Sequence, residues 1–454
     1  MKKKPWIGIG LILTVAPLSI LLGEGGDFAP AEKWVARYNG PGNGDDCARA
    51  MAVDASGHIY VSGESFGTGT GYDFATVKYN PQGKRLWAKR YDGLAHGDDL
   101  AKRIAVDGSG NVFVFGESKG LGTGFDLATV KYSANGKRLW VQRYNGKANG
   151  DEAAGGLAVD GSGNVYIAGS ISEESVGCYF ATIKYDPQGR RLWTRYHSDP
   201  NNDNLHYYGG VKAVAVDGSG NPHVAGWVVV GGVYDMATVK YDANGNRLWA
   251  RTYNGPSSGS DYATAIVLDG SGRVSVTGQS DAGDFHLDRD WVTVGYDAGG
   301  KVLWTRRYAG PAKDIDEPTA IAMDRKGQTY VTGWATDSKS HQDCMTIKYG
   351  AAGKQLWARR YDGSNDHDRA FGLVLDEAGH VYVAGDSRNE KGNYDYVTLA
   401  YDLKGNRLWI RTYDGPGQGE DSAMAIILDK SGGLYVSGGS EGAGTKSDFA
   451  TIKY

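Results

Sequence analysis

The sequence predicts an all-β protein, an eight-bladed β-propeller of four-stranded antiparallel blades, on three observations. A tryptophan returns at Trp34, Trp87, Trp140, Trp193, Trp249, Trp304, Trp357 and Trp409, in steps of 53, 53, 53, 56, 55, 53 and 52 residues. Each period holds four short runs that alternate, or nearly so, between apolar and polar residues, separated by turn residues. The first and last runs of the repeat region are complementary fragments of one unit. A period near 50 built from strands marks a blade, a small sheet that buries both faces only when neighbours stack on it. Composition agrees, since 69 glycines and 29 tyrosines against 12 prolines in 454 residues suit many short strands joined by tight turns.

The unit around Trp140 shows the elements in order. Ala105 to Asp107 ends a first strand, Asn111 to Gly116 (NVFVFG) is a second, Leu127 to Tyr132 (LATVKY) a third and Arg138 to Tyr144 (RLWVQRY) a fourth. Asp107-Gly-Ser-Gly joins the first pair and Ser133-Ala-Asn-Gly-Lys the second, both hairpin turns whose glycines supply positive φ. The links Glu117 to Asp126 and Asn145 to Asp151 are longer and vary between units. They are expected to form the rims of the ring, where binding residues concentrate. The repeat region opens on a lone fourth-type strand, Lys33 to Tyr38 (KWVARY), and stops after a third-type strand, Phe449 to Tyr454 (FATIKY). Pairing these two completes the eighth blade and leaves no long unpaired edge. Residues 30–454 are therefore read as one propeller domain of eight repeats.

Residues 1–29 read differently. Lys2, Lys3 and Lys4 precede an apolar run from Ile7 to Leu22, interrupted by Gly8, Gly10 and Pro17, and small and acidic residues follow. This is the pattern of an export signal cleaved near Gly26 to Ala29, and the run is short for a permanent membrane helix of about 20 residues. A secreted, periplasmic or cell-surface protein is expected, with an uncleaved amino-terminal anchor as the alternative. The net charge of −4 is spread through the repeats, which argues against nucleic acid as a partner. Cys47, Cys178 and Cys344 are odd in number and far apart, so they fit no metal cluster and at most one disulfide.

The unit running from Ala105-Val-Asp-Gly-Ser-Gly-Asn-Val-Phe-Val through Ala128-Thr-Val-Lys-Tyr resembles the bacterial β-propeller repeats labelled seven-bladed or SBBP repeats, and also resembles NHL-type units. The likeness covers nearly the whole chain after residue 30. It implies an exported or surface protein that binds or scaffolds, and this chain departs from the label in showing eight units.

Repeated residues are first explained as structure. The eight tryptophans, with Tyr79, Tyr132, Tyr185, Tyr241, Tyr296, Tyr349, Tyr401 and Tyr454, suit the wedges between twisted blades; an aromatic glycan-binding surface is the rival. Asp46, Asp99, Glu152, Asp261, Asp316, Asp368 and Asp421 stand at one position of seven units, with Gly209 in the remaining one. They are expected at the crossover from one blade to the next, ringing a mouth of the channel. There they either accept backbone N–H groups or draw cations, and the first is favoured because unpartnered neighbouring carboxylates repel. Asp73, Asp126, Asp235, Asp290, Asp343, Asp395 and Asp448 precede the third strand, with Tyr179 in the other unit, and a Thr follows three residues on, read as a hydrogen-bonded pair. Calcium is a minor alternative: Asp199-Pro-Asn-Asn-Asp203 alternates oxygen ligands but lacks the loop glycine and the bidentate Glu.

A single binding site on a ring of like blades needs residues that one or two blades supply. The fourth unit diverges most, with His206, Tyr207, Tyr208 and Trp227; the fifth carries an insertion from Asp281 to Asp290 with His286; the sixth has Trp334 and His341. These are the candidate ligand-binding residues. No catalytic motif is present, so no catalytic residue is named and no cofactor or metal is expected. The reading is an exported binding or interaction module, monomeric, whose rim loops take a protein or glycan of the cell envelope. The alternative is an exported propeller enzyme with a site at the central channel, a lyase or a quinoprotein-like oxidoreductase. Tyr132-Ser-Ala-Asn-Gly-Lys-Arg-Leu-Trp140 loosely resembles the tryptophan-docking segment of the quinoproteins, which would bring a quinone cofactor, yet the Thr before Gly-Lys and the adjacent cysteine pair of that family are missing.

Overall fold

The computed structural model describes residues 29–173, 178–197, 209–283, 288–339, 341–363 and 366–454. Among these residues there are strands and turns but no helix, and so no helix able to cross a membrane. The strands form eight four-stranded antiparallel sheets. In blades 1 to 7 four consecutive strands run outward from an inner one, these inner strands being Asp46–Val53, Asp99–Val106, Ala153–Val159, Gly209–Val216, Asp261–Leu268, Glu317–Met323 and Asp368–Leu375. Blade 8 takes Asp421–Leu428, Leu434–Glu441 and Ser447–Lys453 from one end of the repeat region and Trp34–Tyr38 from the other. The latch pairs Trp34 with Lys453 through Tyr38 with Phe449. Adjacent inner strands touch around the whole circle, blade 8 against blade 1 included, so the ring is closed. The protein is an eight-bladed β-propeller.

Aromatic wedges hold neighbouring blades together, because twisted sheets leave space at their outer edges that large rings fill. Every repeated tryptophan lies against the tyrosine that ends the third strand of the next blade: Trp34 is 6.3 Å from Tyr79 and Trp87 is 6.2 Å from Tyr132. On its other side Trp87 meets Tyr60 of its own second strand at 6.0 Å. The indole N–H then donates to a carbonyl in the next blade's outer hairpin turn, Trp34 to Pro81 O at 3.1 Å and Trp87 to Ala134 O at 3.2 Å. That turn must come close. Gly83 and Gly136, both with positive φ, sit on the Trp34 and Trp87 rings, which lie 2.7 Å and 3.0 Å from where a Cβ would stand. Third-strand lysines complete the joint: the Lys78 ammonium lies 4.8 Å over Tyr60 and donates to Ala134 O at 3.0 Å.

Each inner strand carries a β-bulge after its second or third residue, as between Ala48 and Ala50 or Ala101 and Arg103. A bulge breaks the alternation of side chains and re-aims those beside it. Here the affected residues surround the central channel.

Candidate functional site

The two rims differ. One holds the hairpin turns, two in each of blades 1 to 7 and one in blade 8, each five residues long and, except at Gly350, closed by a carboxylate, amide or hydroxyl accepting main-chain N–H groups, as Asp107 does from Ser109 and Asn111 at 2.9 Å. The other holds the blade-to-blade crossovers and the links between second and third strands. Asp46, Asp99, Glu152, Asp261, Asp316, Asp368 and Asp421 are all buried at the crossover rim, none more than 2% exposed. They accept main-chain N–H groups from the crossing chain, Gly40 to Asp46 at 2.5 Å, Gly93 to Asp99 at 2.6 Å, Gly146 to Glu152 at 2.8 Å and Gly255 to Asp261 at 2.7 Å. Gly310, Gly363 and Gly415 serve Asp316, Asp368 and Asp421 alike. Loss of solvent outweighs these bonds and pushes Asp99, Asp316 and Asp368 up to about 6 and Glu152 up to about 7.

The third-strand aspartates do not pair with the threonine three residues on. Thr346 and Thr451 reach across to Thr332 and Ser437 of the second strand, both at 3.0 Å. Five of the aspartates instead meet an outer-strand arginine of their own blade, Asp73 with Arg90 at 2.5 Å, Asp126 with Arg143 at 2.7 Å, Asp290 with Arg307 and Asp448 with Arg37 at 3.0 Å, and Asp343 with Arg360, while Asp395 accepts from Asn389 at 2.9 Å. In blade 3 both partners change together, and Tyr179 packs edge-on to Tyr196 at 5.8 Å. Carboxylates gather within 4.8 Å of one another in three sets, Asp73 with Asp92 and Asp99, Asp343 with Asp362 and Asp368, and Asp395 with Asp414 and Asp421. Of the described residues, these are the sets whose spacing could hold a divalent ion; the Asp199 to Asp203 loop lies outside the described residues.

Of the candidate ligand residues, His206, Tyr207, Tyr208 and His286 lie outside the described residues. Trp227 and Trp334 occupy one equivalent position, following Gly226 and Gly333 in the second strands of blades 4 and 6, opposite Gly210 and Glu317 of the inner strands. That puts both at the crossover mouth. Trp227 takes the space a side chain at Gly210 would need, a Cβ there standing 2.0 Å from the ring. Around it are Tyr262 at 5.5 Å, which also stacks on Tyr234, then Lys212 at 5.7 Å over Trp227 and Arg289 at 5.1 Å over Tyr262. Trp334 lies 6.1 Å from Phe371, and Arg369 caps both Phe371 and Tyr394. Among the described residues the Trp334 indole N–H is buried and finds no acceptor. His341 sits beside His367, ring centres 5.7 Å apart, a neighbour that sequence reasoning left out. Blades 1 and 2 carry Glu64 and Glu117 where blades 4 and 6 carry tryptophan. Half of the mouth is thus aromatic, with Arg289 and Arg369 held by Asp281 at 3.2 Å and Asp386 at 2.9 Å, a surface that offers stacking faces and hydrogen-bonding groups.

Below the mouth the channel narrows to a cavity of about 240 Å³ lined by Arg103, Lys212, Thr264, Thr319 and small or apolar residues of blades 3 to 6, with no histidine or carboxylate in its walls. Sequence reasoning passed over Arg103. The signal was present: the equivalent positions are Ala50, Gly156, Ala213, Ala265, Ala320, Gly372 and Ala425.

No family model matches this chain. Regulatory protein FlaEY of Caulobacter vibrioides is 28% identical over 183 residues, 35% of this chain and 18% of that protein. An uncharacterized WD repeat-containing protein, L264, of Acanthamoeba polyphaga mimivirus is 26% identical over 167 residues, 28% of this chain and 12% of the other. The chain therefore spans less than a fifth of the length of the curated relatives it matches. Among solved structures, Sqt1 from Chaetomium thermophilum covers 93% of this chain with 98% of its own, at a TM-score of 0.54 and 11% identity, a likeness of fold.

Proposed function

We propose that this chain is an exported β-propeller binding module of the bacterial SBBP-repeat type, which engages a protein or glycan of the cell envelope through its crossover rim. The observation that carries the reading is the asymmetry between rims. The hairpin rim repeats the same compact turns, whereas the crossover rim gathers the divergent links and the Trp227–Tyr262–Tyr234 and Trp334–Phe371 clusters with Lys212, Arg289 and Arg369 beside them. Aromatic and arginine side chains in a half-buried patch are the groups that dominate recognition surfaces. Residues 1–29 act as the export signal in this reading.

Photo-crosslinking in the producing cell tests it. A crosslinking amino acid at Tyr234, on the crossover rim, is expected to yield a discrete adduct that the same group at Ser109, on the hairpin rim, does not. Equal adducts from both positions, or none from Tyr234 together with no glycan retained by the purified protein, would count against the module.

A further inference from the structure

We propose that the cavity below the mouth is a second site that binds a small oxyanion, a phosphate or carboxylate group, on the Arg103 guanidinium, with Lys212, which also borders the Trp227 cluster, in the same wall. Seven blades place alanine or glycine at this position beside the bulge, where a Cβ at Gly156 would stand 2.4 Å from Val214 N of blade 4, and only blade 2 carries a long cationic side chain there. A ring of like blades that breaks its pattern at one lumen-facing residue places a singular charge where a single ligand can sit.

Arg103 lacks the partner its setting calls for. Its N–H groups donate to two carbonyls, Lys102 O at 3.0 Å and Lys212 O at 3.5 Å, leaving most of its five donors for another acceptor. Among the described residues it makes no ion pair, whereas Arg49, at the neighbouring bulge of blade 1, pairs with Glu64. Glu117, the equivalent acid of blade 2, accepts the Ala154 N–H at 2.9 Å. Arg103 is exposed to the lumen, and desolvation by the blades around it lowers its pKa against the pull of Glu117. A guanidinium that faces the lumen without a counter-ion is a point of attachment for an anion, which it can hold by charge-assisted hydrogen bonds. Lys212 adds a second positive charge, and Thr264 and Thr319 add hydroxyl groups to the walls. A volume of about 240 Å³ is below the ~300–1,000 Å³ of sites for drug-sized molecules, so the ligand is small.

Titration calorimetry of the full-length chain with inorganic phosphate, and separately with malonate, in a chloride buffer of fixed ionic strength tests the site. Arg103→Ala is a safe variant because five other blades carry alanine at this position; its melting curve is checked against the parent. Saturable one-to-one binding of at least one anion is expected, weakened at least tenfold by Arg103→Ala and several-fold by Lys212→Ala, and unchanged by Lys137→Ala on the hairpin rim. The stronger of the two anions identifies phosphate or carboxylate as the group recognised. Absence of saturable binding to both anions, or binding that survives Arg103→Ala, overturns the proposal and leaves the rim reading untouched.

Discussion

Asp99 and the other crossover acids make stability depend on pH in the sense opposite to that of an ion-paired carboxylate. In the folded protein Asp99 titrates at about 6 and Glu152 at about 7, whereas both ionise near their ordinary values, about 4, once unfolded. Between those limits the folded state holds protons that the unfolded state has released. Their contribution is therefore complete below about pH 4 and is lost as pH rises through the folded pKa. The hairpin acids Asp54, Asp217 and Asp429 are held below the usual carboxylate range by the N–H, amide and hydroxyl groups that bond them, so their contribution is present above about pH 4 and is lost on acidification. The two sets together place maximum stability at mildly acid pH. Asp99→Asn keeps an oxygen for the Gly93 N–H and removes one titration. Its denaturation midpoint is expected to fall less between pH 5 and pH 7.5 than that of the parent, and parallel curves for the two proteins would show that Asp99 is not the titrating group. The acids themselves were legible in the sequence because they recur. Arg103 was visible as a lone arginine among alanines and glycines, but not its place on the channel, because the bulge beside it shifts which residues meet the lumen and strict alternation cannot show that.

Within and between blades, pairs of residues act as units. The Trp249 indole donates to Ala298 O at 3.2 Å and lies on Gly300, whose φ is +79° and where a Cβ would come 2.6 Å from the ring. Gly300→Ala therefore strains the turn and displaces the ring at once, and is expected to cost more than the ~1 kcal/mol of the backbone effect alone. Trp249→Phe, which loses the N–H bond and part of the buried area, should cost about 1–3 kcal/mol. Because both changes act on one contact, the double variant is expected to be less destabilised than the sum of the singles, read by chemical denaturation; strict additivity would argue against the docking. Such units also mark where the sequence was hard to read. Tyr179 stood out as an exception among aspartates, yet its partner Tyr196 lies on the outer strand 17 residues on, the separation of Asp73 from Arg90. A local rule that looked three residues ahead, to threonine, could not find a pairing that depends on strand register. Trp227 and Trp334 were legible as breaks in the repeat, but their shared position at the mouth needed the pairing of second and inner strands.

At the scale of the whole ring, one short strand carries both the closure of blade 8 and its joint to blade 1. Trp34–Tyr38 pairs along Ser447–Lys453, and Arg37 ties it to Asp448 at 3.0 Å and to Ser440 Oγ at 2.8 Å. The same strand presents Trp34 to Tyr435 of its own blade at 5.8 Å and to Tyr79 and Pro81 O of the next. Removing residues 1–38 would expose the third strand of blade 8 as a free edge and strip one of the eight aromatic wedges, leaving a gap in a structure whose blades depend on both neighbours. A loss of at least ~3–5 kcal/mol is expected from the wedge alone, seen as a lower and broader melting transition with concentration-dependent aggregation. Arg37→Ala, which leaves the strand in place, should cost about 1–3 kcal/mol and leave the light-scattering mass equal to the parent's. If the shortened chain melted like the full one, the ring would have to owe its closure to contacts between inner strands, and the latch would be an ornament of blade 8.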